Sequence, residues 1–303
     1  MDDTTERRRW PFSSKFSEHQ SRWIHERSEW RSAVLKCPVL GPSDHGVLLM
    51  RVCTTFATVA LVLFVMVEEM IHQDGIPYYL IWLTNWTGML TACYAVTFCY
   101  TTFVAAAEAS RKEDDISSNG SSESTIPLVV RVFWGVKAAA PTFQIVINIM
   151  YWAILYNPAW ATLSAVNVIA HGGIGAMTVL DLLATSRVPF GKSVLDLLHT
   201  YYFGLTYLGF NLIFTLIPGS RNQDGQPYVY EIMAWKSNPG LAIIIVAAVI
   251  VVFIPVSFAV ALGMTALRDR VTFPEHSGAA SNVAAPDTNQ DEMRGRAYAL
   301  NAL

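Results

Sequence analysis

The sequence predicts an all-α integral membrane protein: a six-helix bundle that spans the bilayer, with cytosolic N- and C-terminal tails. Three observations lead there. First, the 303-residue chain is 52% apolar and only 15% charged, with a mean hydropathy of +0.34. A water-soluble domain carries roughly 25% charged residues, so there is too little polar surface here to cover a particle in water. Second, six stretches hold the roughly 20 mainly apolar residues that a helix needs to cross a bilayer. Third, six spans put 19 of the 21 lysines and arginines on one side. The same composition excludes other classes. A net charge of −3 and a pI of 6.2 leave no electrostatic footprint for nucleic acid. The four cysteines, Cys37, Cys53, Cys93 and Cys99, contain no C-x-x-C pair, which argues against a zinc site or a disulfide framework.

Taken in order, residues 1–47 form a polar, basic tail with no signal peptide, so the first apolar run acts as an uncleaved anchor. Trp23, Arg27, Trp30 and Val34 fall on one helical face, which suits a helix lying on the inner leaflet. A solvated tail that only enforces topology is the competing reading. The transmembrane domain covers 48–267, with spans at 48–71, 78–107, 131–156, 160–185, 193–217 and 240–267. The sixth carries no charge. The third carries Arg131 and Lys137 in its first half, where a lysine can snorkel to a near interface. Loop 108–130 is rich in serine and acidic residues and reads as disordered and cytosolic. Loop 218–239 is luminal or extracellular. Its Tyr228, Tyr230 and Trp235 suit the aromatic belt, and it is expected to fold onto the bundle mouth. Only Arg221 and Lys236 lie on that side, and residues 268–303 form the C-terminal tail. The positive-inside rule then puts both termini in the cytosol, in the plasma membrane or the endoplasmic reticulum.

Polar groups inside spans are costly and mark pathways, sites or internal pairs. Glu68 and Glu69 close the first span and read as interfacial carboxylates. His171 is eleven residues below Trp160, about 16 Å into the membrane at the rise of a helix. Asn167 lies one turn above it on the same face, and Gly172, Gly173, Gly175 and Ala176 let neighbouring helices come close. The bland reading of His171 is a neutral histidine bonded across helices. Thr84 is six residues below Tyr78, about 9 Å deep from the same side. Its bland reading is a hydroxyl bonded back to its own helix. Asp181 and His199 reach comparable depths from the cytosolic side and are expected to form a secondary, structural pair. Ligands scattered over two depths make no metal site, and no cofactor motif is present.

Three stretches carry a family resemblance: IWLTNWTGML (81–90), AHGGIGAMTVLDLL (170–183) and GQPYVYEIMAWKSNPG (225–240). In order, spacing and residue type they resemble the signature stretches of rolling stone-like multi-pass membrane proteins. That group is more distantly similar to the androgen-induced transmembrane proteins, threonine hydrolases of lipid esters. The resemblance implies that Thr84 and His171 stand where those hydrolases carry their nucleophile and base. Two positions depart from the pattern: Ile174 stands where both groups usually carry Asn or His, and Ala170 where the hydrolases tend to carry Asn.

Two functions follow. One is an intramembrane hydrolase of fatty-acyl esters, in which His171 activates the Thr84 hydroxyl and Asn85 or Asn167 orients groups or stabilises the oxyanion. Its partners are membrane lipids, one of them the ester substrate. The other is a non-catalytic membrane protein in adhesion, fusion or signalling, acting through its tails and the 218–239 loop. A channel or transporter is disfavoured by the small number of charges in the spans.

Overall fold

The computed structural model describes residues 34–35, 44–72, 76–114, 127–157, 163–184, 190 and 194–272. Among them there are six long helices and no strand. Helix α1 is Asp44–His72 and α2 is Leu83–Asp114. Helix α3 runs over Leu128–Leu155 and α4 over Ala165–Leu183. Helix α5 is Val194–Leu216 and α6 is Pro239–Val271. All but α5 are long and apolar enough to cross a membrane. The outward surface carries large apolar side chains such as Phe56, Tyr202 and Val251 at 76%, 75% and 69% exposure. A surface of that kind needs a lipid or protein cover.

Helix α5 is long enough to span but poorer in apolar residues, and its pattern shows why. Its buried residues are Asp196, Thr200, Gly204, Tyr207, Asn211 and Thr215, one stripe at steps of three and four. Leu198, Tyr202, Leu205, Ile213 and Leu216 point outward. The polar stripe faces the bundle and the apolar side faces away, the reverse of a helix on a water-soluble protein.

Helix α3 is the centre of the bundle. Over half of its span (56%) is buried, against at most 39% for the others, and it packs against α2, α4, α5 and α6. Small residues permit this: Gly204 of α5 lies where a Cβ would stand 2.9 Å from the Phe143 ring. The first and second helices make the most extensive helix–helix contact among the described residues.

The charges inside these helices are paired. Arg51 of α1 donates to Asp181 of α4, which also accepts from the Tyr94 hydroxyl of α2 at 2.5 Å. The Arg51 guanidinium lies 3.4 Å over the Phe98 ring. Lys137, expected to snorkel, instead stays buried, 3.4 Å from Asp196 of α5 and 4.0 Å over the Trp134 ring. Arg268 of α6 donates to the Leu182 carbonyl of α4. A buried charge without a partner costs several kcal/mol, and these contacts offset part of that cost.

Several expected boundaries shift. The second span, expected from 78, begins as a helix at Leu83, after a short helix Ile76–Tyr79. It continues to Asp114, into the stretch read as a disordered loop, because Ala-Ser-Arg-Lys-Glu-Asp contains no helix breaker. The rest of that loop, 115–126, lies outside the described residues, as do Trp23, Arg27, Trp30 and most of the C-terminal tail. Val34 is buried among Tyr94, Phe98 and Phe133, so this position of the proposed leaflet-facing stripe packs into the bundle.

Candidate functional site

The site forms where the short loops on the 218–239 side close over the helix ends. Asn222 organises the loop: its Oδ1 accepts from the backbone N–H groups of Asp224 and Gln226. Gly219 and Gly225 take positive φ values of 85° and 72°, which side-chain-bearing residues rarely adopt. Val229, Met233 and Ala234 are buried. The Trp235 indole donates to Asn211 of α5 at 3.0 Å, and the Tyr230 hydroxyl accepts from the Leu83 N–H at 3.1 Å. Burial pushes the Tyr230 phenol up to about 12, so it keeps its proton at neutral pH. The loop thus lies on the bundle mouth, as its aromatic residues suggest.

Beneath the loop are two adjoining cavities. The inner one, about 50 Å³, is walled by Phe143, Ile147, Met150, Leu208, Met233 and Val249. The outer one, about 550 Å³, is lined by polar groups including Glu69, Asn85, Asn167, Asp224, Gln226 and Glu231. Thr84, Tyr151, Leu155, His171, Tyr230 and Ile232 line both and form the neck between them. Thr84 and His171, singled out in the sequence from different spans, therefore meet at one cavity.

Each is placed by local backbone geometry. Thr84 is the second residue of α2, so no helical carbonyl lies four residues before it. The Leu80 carbonyl at that distance accepts from the Trp86 indole instead. Thr91, Thr97, Thr102, Thr142 and Thr178 all bond back to their own helix. No such bond is found for Thr84 among the described residues, which leaves its hydroxyl for the cavity.

His171 sits in a single π-turn, Ile169–Gly173, and a second π-turn, Tyr151–Leu155, ends α3 opposite it. Such turns widen a helix by one residue and commonly mark functional sites. Here they bring the Tyr151 and His171 rings together in a parallel stack, 3.5 Å apart and 7° from coplanar. The Trp152 indole donates to the His171 carbonyl at 2.8 Å. The buried Nδ1 of His171 has no hydrogen-bond partner among the described residues. The ring is therefore oriented by stacking and not by a carboxylate. It is six residues into α4, about 9 Å from the helix start, shallower than the expected 16 Å because α4 begins at Ala165.

Asn85 is buried, and both protons of its amide are committed, to Glu69 at 2.6 Å and to the Tyr79 carbonyl at 2.8 Å. It orients Glu69 and has no donor left for an oxyanion. Glu69, read from the sequence as an interfacial carboxylate, is part of the cavity wall. Asn167 lines the outer cavity, and its N–H is capped by the Ser164 hydroxyl. Asp181 and His199 are not brought together. Asp181 takes Arg51 and Tyr94, while His199 is exposed on α5. The apolar departures Ala170 and Ile174 pack with Val62 and Val65 of α1 and do not line the cavity. Tyr151, Trp152 and Tyr230 were not among the sequence's site candidates, and Glu69 was weighed only as an interfacial carboxylate. The aromatic loop signal pointed to Tyr230 but not to its role as a cavity wall. Among the described residues, no three His, Cys, Asp or Glu side chains converge as a metal site would require.

Comparison with known proteins gives one finding. The family model described as protein rolling stone matches residues 44–282, which covers every helix described above. No curated protein and no solved structure matches the chain. The match takes in all three signature stretches and both walls of the cavity, and the chain belongs to the rolling stone family.

Proposed function

We propose that this multi-pass protein crosses the membrane six times, with α5 as the fifth span and both termini in the cytosol, and hydrolyses fatty-acyl esters at the Thr84–His171 neck. The observation that carries the reading is the pairing of an unbonded threonine hydroxyl and an imidazole on one cavity wall with an apolar pocket behind it. In the proposed reaction Thr84 Oγ1 attacks the ester carbonyl as His171 takes its proton. The tetrahedral oxyanion is met by the N–H of Thr84 at the start of α2 and by the protonated Tyr230 hydroxyl. The alcohol leaves with the proton from His171, and the acyl group stays on Thr84. Water, deprotonated by His171, then releases the fatty acid and restores the hydroxyl. The polar stripe on α5 supports its reading as a span, since a helix poor in apolar residues can sit in lipid when its polar side faces inward.

The alternative, a non-catalytic role in adhesion, fusion or signalling, draws support from the committed amide of Asn85 and from His171 Nδ1, which no carboxylate among the described residues meets. Turnover of a panel of lipid esters by purified protein separates the two. The hydrolase reading expects turnover that Thr84→Ala and His171→Ala each abolish, with the double variant no worse than either single one. A folded, inert wild type leaves the non-catalytic role.

A further inference from the structure

From the asymmetry of the cavity we propose that the ligand of this site is an amphiphile with a cationic headgroup. The inference rests on the reading of the Thr84–His171 cavity as a ligand site and names the class of ligand it takes. The inner chamber is apolar and fits part of a hydrocarbon chain. The outer chamber is ten times larger and holds the polar end. Its charged lining is one-sided: carboxyl groups come from Glu69 of α1 and from Asp224 and Glu231 on the loop, and among the described residues no lysine or arginine lines it. Arg221, the nearest base in sequence, turns its guanidinium to the Gly225 carbonyl, and Lys236 is exposed beyond the cavity. Four aromatic rings share the wall, those of Trp82, Tyr151, Tyr228 and Tyr230. Trp82 and Tyr230 meet edge to face at 5.2 Å. Carboxylates together with aromatic faces favour an ammonium group, and the same carboxylates repel an anionic head.

The test uses full-length protein in nanodiscs and three photo-crosslinking probes. Each carries the same diazirine-bearing twelve-carbon chain, with a trimethylammonium, a carboxylate or a glycerol head. Adducts on cavity peptides are divided by adducts on the outward face of α6 in the same sample, which cancels partitioning into the bilayer. We expect the ammonium probe to exceed the carboxylate probe about tenfold in the cavity, as opposed charge at several partly exposed carboxylates allows. The double variant Asp224→Asn/Glu231→Gln, on the exposed loop, should reduce that ratio to about twofold. Equal labelling by all heads, or preference for the carboxylate, overturns the headgroup assignment and leaves the ligand site standing. Absence of cavity adducts with every probe overturns both. Crosslinking needs no turnover, so a head preference in a protein without esterase activity supports the assignment and counts only against hydrolysis.

Discussion

Thr84 differs from Thr91, Thr97, Thr102, Thr142 and Thr178 by its place in a helix, not by its chemistry. Two residues into α2 it has no helical carbonyl to bond, so the same side chain that is satisfied at Thr91 or Thr178 is open to the cavity here. Thr84→Ala should therefore fold with a melting temperature close to wild type, and Thr84→Ser should keep some turnover because it keeps the hydroxyl. Tyr151 acts on the site through His171. Tyr151→Phe preserves the stack and should leave turnover near wild type. Tyr151→Leu removes the parallel face and should lower kcat more than KM. Asn85→Ala leaves Glu69 and the Tyr79 carbonyl without their donor, which should cost about 1–3 kcal/mol, read as a lower melting temperature in detergent. The sequence pointed to Thr84 and His171 because polar side chains stand out against an apolar background. It gave Glu69 only an interfacial role and did not point to Tyr151, since a carboxylate at a span end and an aromatic near an interface are ordinary there, and only the folded packing turns them inward.

At the level of elements, the helices are joined near the expected cytosolic side by buried ion pairs. Removing one member strands the other. Asp181→Ala should destabilise by about 3–5 kcal/mol, seen as reduced yield and thermal stability. His199→Ala, at an exposed position, should stay within about 0.5 kcal/mol of wild type. An equal loss in both would restore the Asp181–His199 pairing expected from sequence. Depth arithmetic suggested that pairing because both residues lie near the same membrane face. It could not show that Arg51, near the start of the first helix, turns inward to claim the carboxylate. The π-turns at Tyr151–Leu155 and Ile169–Gly173 were equally hidden, because one extra residue per turn leaves no trace in a hydrophobic run. Gly204→Ala should also destabilise, by about 1–3 kcal/mol, since the Phe143 ring would have to move in a packed interior.

For the whole molecule, six apolar runs became six long helices, and the charge partition predicts their orientation. Epitope tags at residues 5 and 300 should both require permeabilised cells for detection. With the protein at the cell surface, staining of only one tag on intact cells would mean an odd number of spans, with α5 outside the membrane, and staining of both would mean the opposite orientation; either result contradicts the topology. The six-helix plan was legible because lipid demands long apolar stretches whatever the function. The chemistry was less legible, because it depends on which ends of which helices the 218–239 loop gathers together. The central claim, that Thr84 is a nucleophile in a lipid-facing enzyme, is tested most directly by peptide mass spectrometry of the folded protein after reaction with an alkyl fluorophosphonate. The account predicts one adduct, on the Thr84 peptide, absent from Thr84→Ala and strongly reduced in His171→Ala. A folded wild type without adduct, or an adduct that persists in Thr84→Ala, would contradict it.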